Sequence, residues 1–153
     1  LIIDHGPTGL ESEGGRTDND ELNVVGAGDN LGWPIVAGYS SGGELVSPIT
    51  VWTPAIAPAG LEIYRNPGSP WHGSAFVTGL RGTQLARVEL APSTNGVEVT
   101  CRETLLDDDY GRLRLIRQAP DSTLWVGTSN SDGRGVPRPE GDMILRLHPP
   151  DRD

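Results

Sequence analysis

The sequence predicts an all-β fold, and three observations lead to this prediction. The apolar stretches are short, their hydrophobic period is close to two, and they are bounded by Gly, Pro, Asn, Asp or Ser. Glycine and proline are abundant, at 21 and 13 of the 153 residues, which indicates many tight turns. A unit of strand, glycine-rich turn and strand also recurs along the chain.

Nine segments show the strand pattern, and each lies next to a turn-forming residue. The earlier segments end at or within two residues of Gly, Asp or Asn: Leu1–Ile3, Glu21–Val25, Gly60–Tyr64 and Ser74–Gly79. The later segments begin within two residues of Gly, Asp or Ser: Gln84–Leu90, Val97–Thr104, Arg112–Arg117, Thr123–Thr128 and Met143–Leu147. The best helical candidate, Glu103–Asp109, turns acidic where a helix would have to continue, so we predict no helix there.

The recurring unit indicates a β-propeller. Residues 74–90 resemble residues 123–147, and the corresponding residues Phe76 and Trp125 are 49 positions apart, near the period of propeller blades. We predict about three propeller blades of four-stranded antiparallel sheets, as blade-sized units at about 1–50, 51–110 and 111–153. A β-sandwich with turns at similar spacing is the alternative. Because closed propellers have roughly four to eight blades, a further segment or a second copy has to complete the ring.

Composition excludes several classes of function. The formal net charge is −9 and all twelve cations are arginine, a balance that argues against a nucleic-acid groove. No apolar run reaches about 18 residues, so no membrane span is predicted. A single cysteine, Cys101, excludes an internal disulfide.

We expect the chain to begin inside a longer polypeptide, because Leu1 opens an apolar run without a Met or a signal peptide.

The segment Gly38-Tyr39-Ser40-Ser41-Gly42 matches the G-x-S-x-G pattern of a nucleophile elbow, and Asp107 and His148 follow in the hydrolase order. An elbow requires a strand that turns into a helix, whereas residues 44–52 contain β-branched residues and Pro48 and show no helical stripe. We therefore predict a glycine-serine turn at this position.

An acidic segment over residues 10–30 contains a single cation, Arg16, and offers hard oxygen ligands of the type that calcium prefers. Its acidic residues are Glu11, Glu13, Asp18, Asp20, Glu21 and Asp29. The Asp18-Asn19-Asp20 stretch lacks the glycine and glutamate of an EF-hand loop, so that motif is excluded. A calcium site and a solvated acidic loop both remain open.

Two arginines, Arg112 and Arg114, are spaced i and i+2, which in a strand directs both guanidiniums to one face about 6 to 7 Å apart. Guanidiniums pair bidentately with carboxylates, and Arg81 in a tight turn would add a third. This pattern suits a site for a small polycarboxylate. Exposed strand arginines on an acidic protein are the alternative.

These residues belong to a series of blocks that resembles the soluble glucose/sorbosone dehydrogenases, quinoproteins that use pyrroloquinoline quinone (PQQ). The blocks cover almost the whole chain and match about the C-terminal half of the family's six-bladed propeller. In order they are Asp4-His5-Gly6-Pro7, Asp20-Glu21-Leu22-Asn23, Gly28-Asp29-Asn30-Leu31-Gly32-Trp33-Pro34, residues 52–61, residues 71–82, Gly111-Arg112-Leu113-Arg114 and Gln118-Ala119-Pro120-Asp121.

The resemblance implies two cofactors, PQQ and Ca²⁺, and assigns residues to each. Main-chain carbonyls of Gly6 and Pro7 fall on the family's ligands of the calcium ion that bridges protein and quinone. A second calcium in some members falls on the carboxylate of Glu21 and the carbonyl of Leu31. The residues that fall on cofactor contacts are Arg81, Arg112, Arg114, Trp52 and Thr53.

The activity implied is oxidation of an aldose sugar at its anomeric carbon to a lactone, with hydride transfer to PQQ and an external electron acceptor. The family's catalytic histidine lies in its N-terminal half, so we assign no catalytic residue here. Of the three histidines, His5 either orients the calcium turn or ends a strand, and we expect His72 and His148 at the surface. The resemblance also implies a periplasmic or secreted location.

Two other functions remain open at this point. One is a non-catalytic binding propeller similar to the hedgehog-interacting proteins. The other is a half-propeller that binds the cofactor without turnover. Whichever function holds, a partner is expected to complete the ring. This partner would be the N-terminal half of the propeller or a second copy of this chain.

Overall fold

The computed structural model describes residues 1–9, 18–40, 43–94 and 96–150, and these contain ten strands and no helix. The strands form three antiparallel sheets. In chain order they are β1 (Ile2–Asp4), β2 (Asp20–Asn23), β3 (Thr50–Trp52), β4 (Pro58–Ile63), β5 (Ala75–Gly79), β6 (Leu85–Ser93), β7 (Gly96–Leu105), β8 (Leu113–Gln118), β9 (Leu124–Thr128) and β10 (Ile144–Leu147). No helix in these described ranges is long and apolar enough to cross a membrane.

The chain divides into two compact units, Leu1–Pro58 and Ala59–Asp153. The first unit contains one sheet, in the order β1-β2-β3. Its buried apolar residues include Leu22, Trp52, Ala55 and Ile56. The middle strand β2 is buried along its whole length although three of its four residues are polar or charged, so this sheet carries an unusually polar interior.

The second unit contains a four-stranded sheet, in the order β4-β5-β6-β7, and a three-stranded sheet, in the order β10-β9-β8. Three aromatic rings anchor its core, because Trp71 lies edge-to-face with Tyr64 and Phe76 at centroid distances of 6.0 and 5.1 Å. The aliphatic part of this core consists of Leu85, Leu113, Ile116, Leu124 and Val126. The buried Tyr64 hydroxyl donates to the Ser122 carbonyl at 2.8 Å, which satisfies its polar end.

The structure corrects several strand predictions. Thr50–Trp52 forms β3, which the sequence pattern missed because three residues are too few to show a period. The predicted strand Glu21–Val25 is shifted to Asp20–Asn23, where Asp20 pairs with Trp52 of β3. The four-stranded sheet expected for every blade occurs once, and the other two sheets have three strands within the described residues. The division into blade units near residues 50 and 110 stays a prediction.

Candidate functional site

In the first unit, two adjacent carboxylates are buried without a cationic partner among the residues that the structure describes. Asp20 and Glu21 are 2% and 7% exposed, and no arginine or histidine in the described ranges forms a salt bridge with either. Asp20 accepts hydrogen bonds from the backbone N–H of Gly6 at 2.9 Å and of Ala57 at 2.6 Å. Glu21 accepts from the Gly38 N–H at 2.5 Å and from the Asn23 amide at 3.2 Å. Buried carboxylates stabilised by dipoles alone favour a nearby cation.

The turn predicted to supply calcium ligands, Gly6 and Pro7, is buried and tightly packed. A Cβ atom on Gly6 would lie 1.9 Å from the Asp18 carbonyl oxygen, so only glycine allows the two backbone segments to approach this closely. His5 precedes the turn, and its Nε2 donates to the Pro58 carbonyl at 2.7 Å. This contact anchors the histidine beside the turn.

A cavity of about 10 Å³ lies beside this turn, a volume that one water-sized sphere occupies. Three of the predicted metal ligands, Gly6, Glu21 and Leu31, are among its lining residues. Asp4 also lines it and is paired directly with Glu21 across strands β1 and β2. Directly opposed like charges are destabilising in a sheet. A cation bound between Asp4 and Glu21 would reduce the repulsion between them. Asp4 was not predicted as a site residue, because the residues around it in the sequence do not indicate its pairing with Glu21.

Trp52 and Thr53 were predicted as cofactor contacts. Trp52 is 8% exposed and ends strand β3, whereas Thr53 is exposed and its hydroxyl donates to the Asn19 side-chain oxygen at 2.9 Å. Asn19 in turn donates to the Ala37 carbonyl at 3.2 Å. Thr53 is therefore hydrogen-bonded to Asn19, which directly precedes β2, and Asn19 connects it to Ala37.

The remaining sequence motifs of this unit are described only in part. Ser41 and Gly42 of the G-x-S-x-G segment, and Glu11 and Glu13 of the acidic segment, lie outside the described residues. The Asp29 carboxylate accepts from the Gly26 N–H at 2.6 Å, which makes it part of a local turn. Within the described ranges, no three His, Cys, Asp or Glu side chains are grouped to hold a metal ion, so any ion here would need main-chain ligands as well.

In the second unit, Arg112 and Arg114 converge on one carboxylate. Their Nη2 atoms lie 2.9 and 2.7 Å from Oδ2 of Asp132. The Arg114 Nε also donates to the Ser129 hydroxyl at 2.8 Å, and the Arg112 Nη1 donates to the Leu80 carbonyl at 3.3 Å. The paired guanidiniums expected from the i, i+2 spacing are thus brought together, although by a residue that the spacing did not reveal.

The local backbone differs from the regular strand that the spacing assumed. Strand β8 begins at Leu113, after Arg112, and the register shifts between Leu113 and Leu115, which leaves Arg114 as the extra residue of a bulge. Bulges re-aim side chains, so the simple alternation of faces does not hold at Arg114. Tertiary contacts with Asp132, rather than strand periodicity, align the two arginines.

The electrostatics of this cluster favour an ionised Asp132. Hydrogen bonds from the Arg134 N–H and from the Arg112 and Arg114 guanidiniums hold the pKa of Asp132 well below its usual range. Two guanidiniums and one carboxylate leave a net positive charge. Arg112 is largely buried, with 13% of its side chain exposed, whereas Arg114 is 46% exposed and faces solvent.

Arg81 is exposed in the turn after β5. Arg112 contacts this turn through the carbonyl of Leu80, the residue directly before Arg81. His72 and His148 are both exposed, as the sequence led us to expect. The second unit therefore presents a cationic cluster, which the first unit lacks within the described residues.

The fold and these two clusters describe an all-β chain of antiparallel sheets, with paired arginines on one carboxylate in one unit and buried carboxylates in the other. The Glucose / Sorbosone dehydrogenase family model matches residues 5–145. The chain belongs to this family.

Known relatives agree with this assignment. The aldose sugar dehydrogenase YliI of Escherichia coli (strain K12) is 30% identical over 146 residues, which cover 86% of this chain and 36% of that protein. A solved structure described as an oxidoreductase (glucose dehydrogenase) from Thermus thermophilus is 37% identical, with a TM-score of 0.81 over 95% of this chain and 40% of that one. The PQQ-bound aldose sugar dehydrogenase of Streptomyces coelicolor is 34% identical, with a TM-score of 0.71 over 83% of this chain and 35% of that one.

These comparisons confirm the predicted fold class, an all-β partial propeller of antiparallel sheets. The chain spans about a third of the length of the curated relatives that it matches.

Proposed function

We propose that this chain forms part of a quinoprotein oxidoreductase that oxidises an aldose at its anomeric carbon to a lactone, with PQQ as hydride acceptor. The observation that carries the proposal is the convergence of Arg112 and Arg114 on Asp132 in a member of the glucose/sorbosone dehydrogenase family. PQQ is a tricarboxylate, and a cationic cluster with one exposed guanidinium is chemically suited to bind it.

In this proposal the arginines bind the anionic cofactor and stabilise negative charge on it. Arg114, half-exposed, offers its outer edge to a ligand, while Arg112 is fixed between Leu80 and Asp132. The family resemblance also assigns cofactor contacts to Arg81, Trp52 and Thr53, and we include these in the proposal. Bound PQQ would accept the hydride from the anomeric carbon, and preorganised cations favour the form that carries the added charge.

The proposal includes calcium, with the carbonyls of Gly6 and Pro7 as ligands at the cofactor and with Glu21 and the Leu31 carbonyl as ligands at a second ion. The residues present fit a small hard cation, because Glu21 is buried without a salt bridge in the described ranges and lies opposite Asp4. Calcium prefers carboxylate and carbonyl oxygens. Calcium bound there would neutralise the opposed carboxylates and hold strands β1 and β2 together.

A complete enzyme needs parts that we assign to other segments. The general base that removes the sugar hydroxyl proton is proposed in the N-terminal half of the propeller, and the ring is closed either by that half or by a second copy of this chain. An external electron acceptor would reoxidise the cofactor. We propose a periplasmic or secreted location, as for the family.

The decisive experiment measures PQQ binding to this chain in calcium-containing buffer by titration calorimetry. We expect Arg114→Gln to weaken binding by about tenfold or more, because a charge-assisted contact to a carboxylate is lost. Arg146→Gln is the matched control, since it removes one arginine from the same sheet, where Arg146 pairs with the exposed Asp121. Equal affinities in Arg114→Gln and wild type would contradict the proposal.

Aldose-dependent dye reduction and the native mass then separate the remaining outcomes. Binding of PQQ without turnover indicates a half-propeller that needs its missing partner. A dimeric mass would favour completion by a second copy. No binding at all would favour a non-catalytic interaction propeller of the same superfamily.

A further inference from the structure

Asp132 lies in the loop between β9 and β10, and both oxygens of its carboxylate accept hydrogen bonds from described residues. Its Oδ1 accepts from the backbone N–H groups of Arg134 at 2.9 Å and Gly135 at 3.2 Å. These two amides fix the carboxylate to its own loop. The orientation of the carboxylate is therefore set independently of the arginines.

The other oxygen, Oδ2, holds three side chains together. Arg112 and Arg114 donate to it, and the Ser129 hydroxyl lies 3.3 Å away. Because two guanidiniums close to one oxygen repel each other, the shared carboxylate is what keeps both in one place. Asp132 thus acts as the common acceptor of the cluster.

The loop is shaped to bring Asp132 to this position. A Cβ atom on Gly135 would lie 2.7 Å from Cδ of Arg112 and 2.5 Å from the Asn130 carbonyl oxygen, so glycine lets the loop lie directly against the arginine. The Asn130 side-chain oxygen also accepts from the Arg112 N–H at 2.9 Å. Loop and arginine are joined through both main chain and side chain.

The two arginines are held to different extents. Arg112 donates to both Leu80 and Asp132. Arg114 donates through Nε and Nη2, and within the described residues its Nη1 has no hydrogen-bond partner. Asp132 and Ser129 therefore fix one edge of the Arg114 guanidinium and leave the other edge open to an anionic ligand.

We propose that Asp132 is a positioning residue, which orders the Arg112 and Arg114 guanidiniums so that the open edge of Arg114 receives a carboxylate of the ligand. The proposal rests on the proposed function for the identity of that ligand. In this role the Asp132 carboxylate strengthens the binding of an anionic ligand, although it carries the same sign of charge. A carboxylate that merely competed with the ligand would have the opposite effect, so the two roles are separable by one substitution.

The test uses Asp132→Asn, whose amide oxygen can still accept from the loop N–H groups but whose NH₂ group cannot accept from arginine. PQQ is the probe, and calorimetry measures its affinity for the 153-residue chain. We expect binding to weaken by about tenfold despite the loss of a negative charge, because both guanidiniums lose their shared acceptor. Tighter or unchanged binding would overturn the positioning role.

Asp121→Asn is the matched control, because Asp121 is also an arginine-paired aspartate of this unit, but its partner Arg146 lies outside the cluster. We expect its PQQ affinity to equal that of wild type. Ser129→Ala removes the Nε anchor of Arg114 and the hydroxyl contact to Asp132 but leaves both guanidiniums their shared carboxylate, so we expect a smaller loss than in Asp132→Asn. If Asp132→Asn fails to fold, Ser129→Ala becomes the test. An unchanged PQQ affinity in Ser129→Ala would then overturn the positioning role of Asp132.

A second readout does not depend on the ligand. NMR of the arginine side chains reports rotation about the Nε–Cζ bond, which we expect to be restricted for Arg112 and Arg114 in wild type and released in Asp132→Asn. Should wild type itself not bind PQQ, the proposed function fails, and these spectra alone decide the role of Asp132. Release in Asp132→Asn supports it, and unchanged spectra overturn it.

Discussion

The two units satisfy buried carboxylates in opposite ways. Glu21 in the first unit and Glu62 in the second are both 7% exposed. Glu62 pairs with Arg65 and Arg117, whereas Glu21 accepts hydrogen bonds only from neutral N–H groups within the described residues. The same degree of burial therefore leaves one carboxylate neutralised and the other uncompensated.

The contrast extends to the whole of each unit. Residues 1–58 contain eight acidic residues and one arginine, whereas residues 59–153 contain thirteen and eleven. All the salt bridges found among the described residues lie in the second unit. The first unit is consequently strongly acidic, whereas the second is nearly balanced and pairs several of its acidic residues with arginines.

The largest effect is expected at the close approach in the first unit. Gly6→Ala places a Cβ atom 1.9 Å from the Asp18 carbonyl oxygen, so the backbone has to move. We expect a loss of about 3 kcal/mol in the free energy of unfolding, measured by urea denaturation. Gly26→Ala is the control, since its Cβ would meet nothing closer than 3.5 Å. Equal losses in the two variants would show that this turn is not tightly constrained.

The calcium response of stability should distinguish the two buried glutamates. Wild type is expected to gain about 2.7 kcal/mol in unfolding free energy at a calcium concentration about 100 times the dissociation constant. Glu21→Gln should lose most of this gain, because the amide is a weaker calcium ligand than the carboxylate. The quantity to measure is the shift in thermal midpoint between chelator and calcium.

Glu62→Gln and the exposed Glu44→Gln serve as controls for the calcium measurement. The first removes an equally buried carboxylate from the arginine-rich unit, and the second removes a surface carboxylate from the same unit as Glu21. Both should keep the wild-type calcium shift. A shift that survives in Glu21→Gln would show that the stabilising calcium does not bind at Glu21.

The smallest effect concerns acid stability of the second unit. Hydrogen bonds from the Thr123 hydroxyl and N–H, with Arg146, lower the pKa of Asp121 from 3.8 to about 2. Because the folded pKa lies below the unfolded one, this carboxylate stabilises the fold above about pH 4 and loses that contribution as the pH falls toward 2. Asp121→Asn should therefore lose less stability than wild type between about pH 4 and 2. Urea denaturation midpoints measured at each pH would show this difference.

The exposed Asp107 provides a control for the acid experiment, because its side chain has no hydrogen bond among those described. Asp107→Asn should retain the wild-type pH slope. If Asp121→Asn also retained it, the Thr123 and Arg146 contacts would not persist in solution. The comparison between units would then rest on the ion pairs of Glu62 and on the arginine cluster.

The sequence was sufficient for the fold class and for part of the site. Hydrophobic period and turn residues predicted the strands around Phe76, Val88, Ile116 and Val126, because alternation and turn chemistry are local properties. The spacing of Arg112 and Arg114 likewise indicated paired guanidiniums. Strand β3 was missed because three residues carry too little periodic signal.

The sequence by itself thus determined the all-β class, most of the strand segments and which unit is rich in arginine, since these follow from residue type and short-range order. Tertiary structure alone decided that Asp132 joins Arg112 to Arg114 from a loop 18 residues beyond Arg114, and that Asp4 faces Glu21 across two strands. It also decided that Gly6 lies against Asp18. These contacts depend on sheet register, a bulge and loop closure, in which distant residues meet only after the chain has folded.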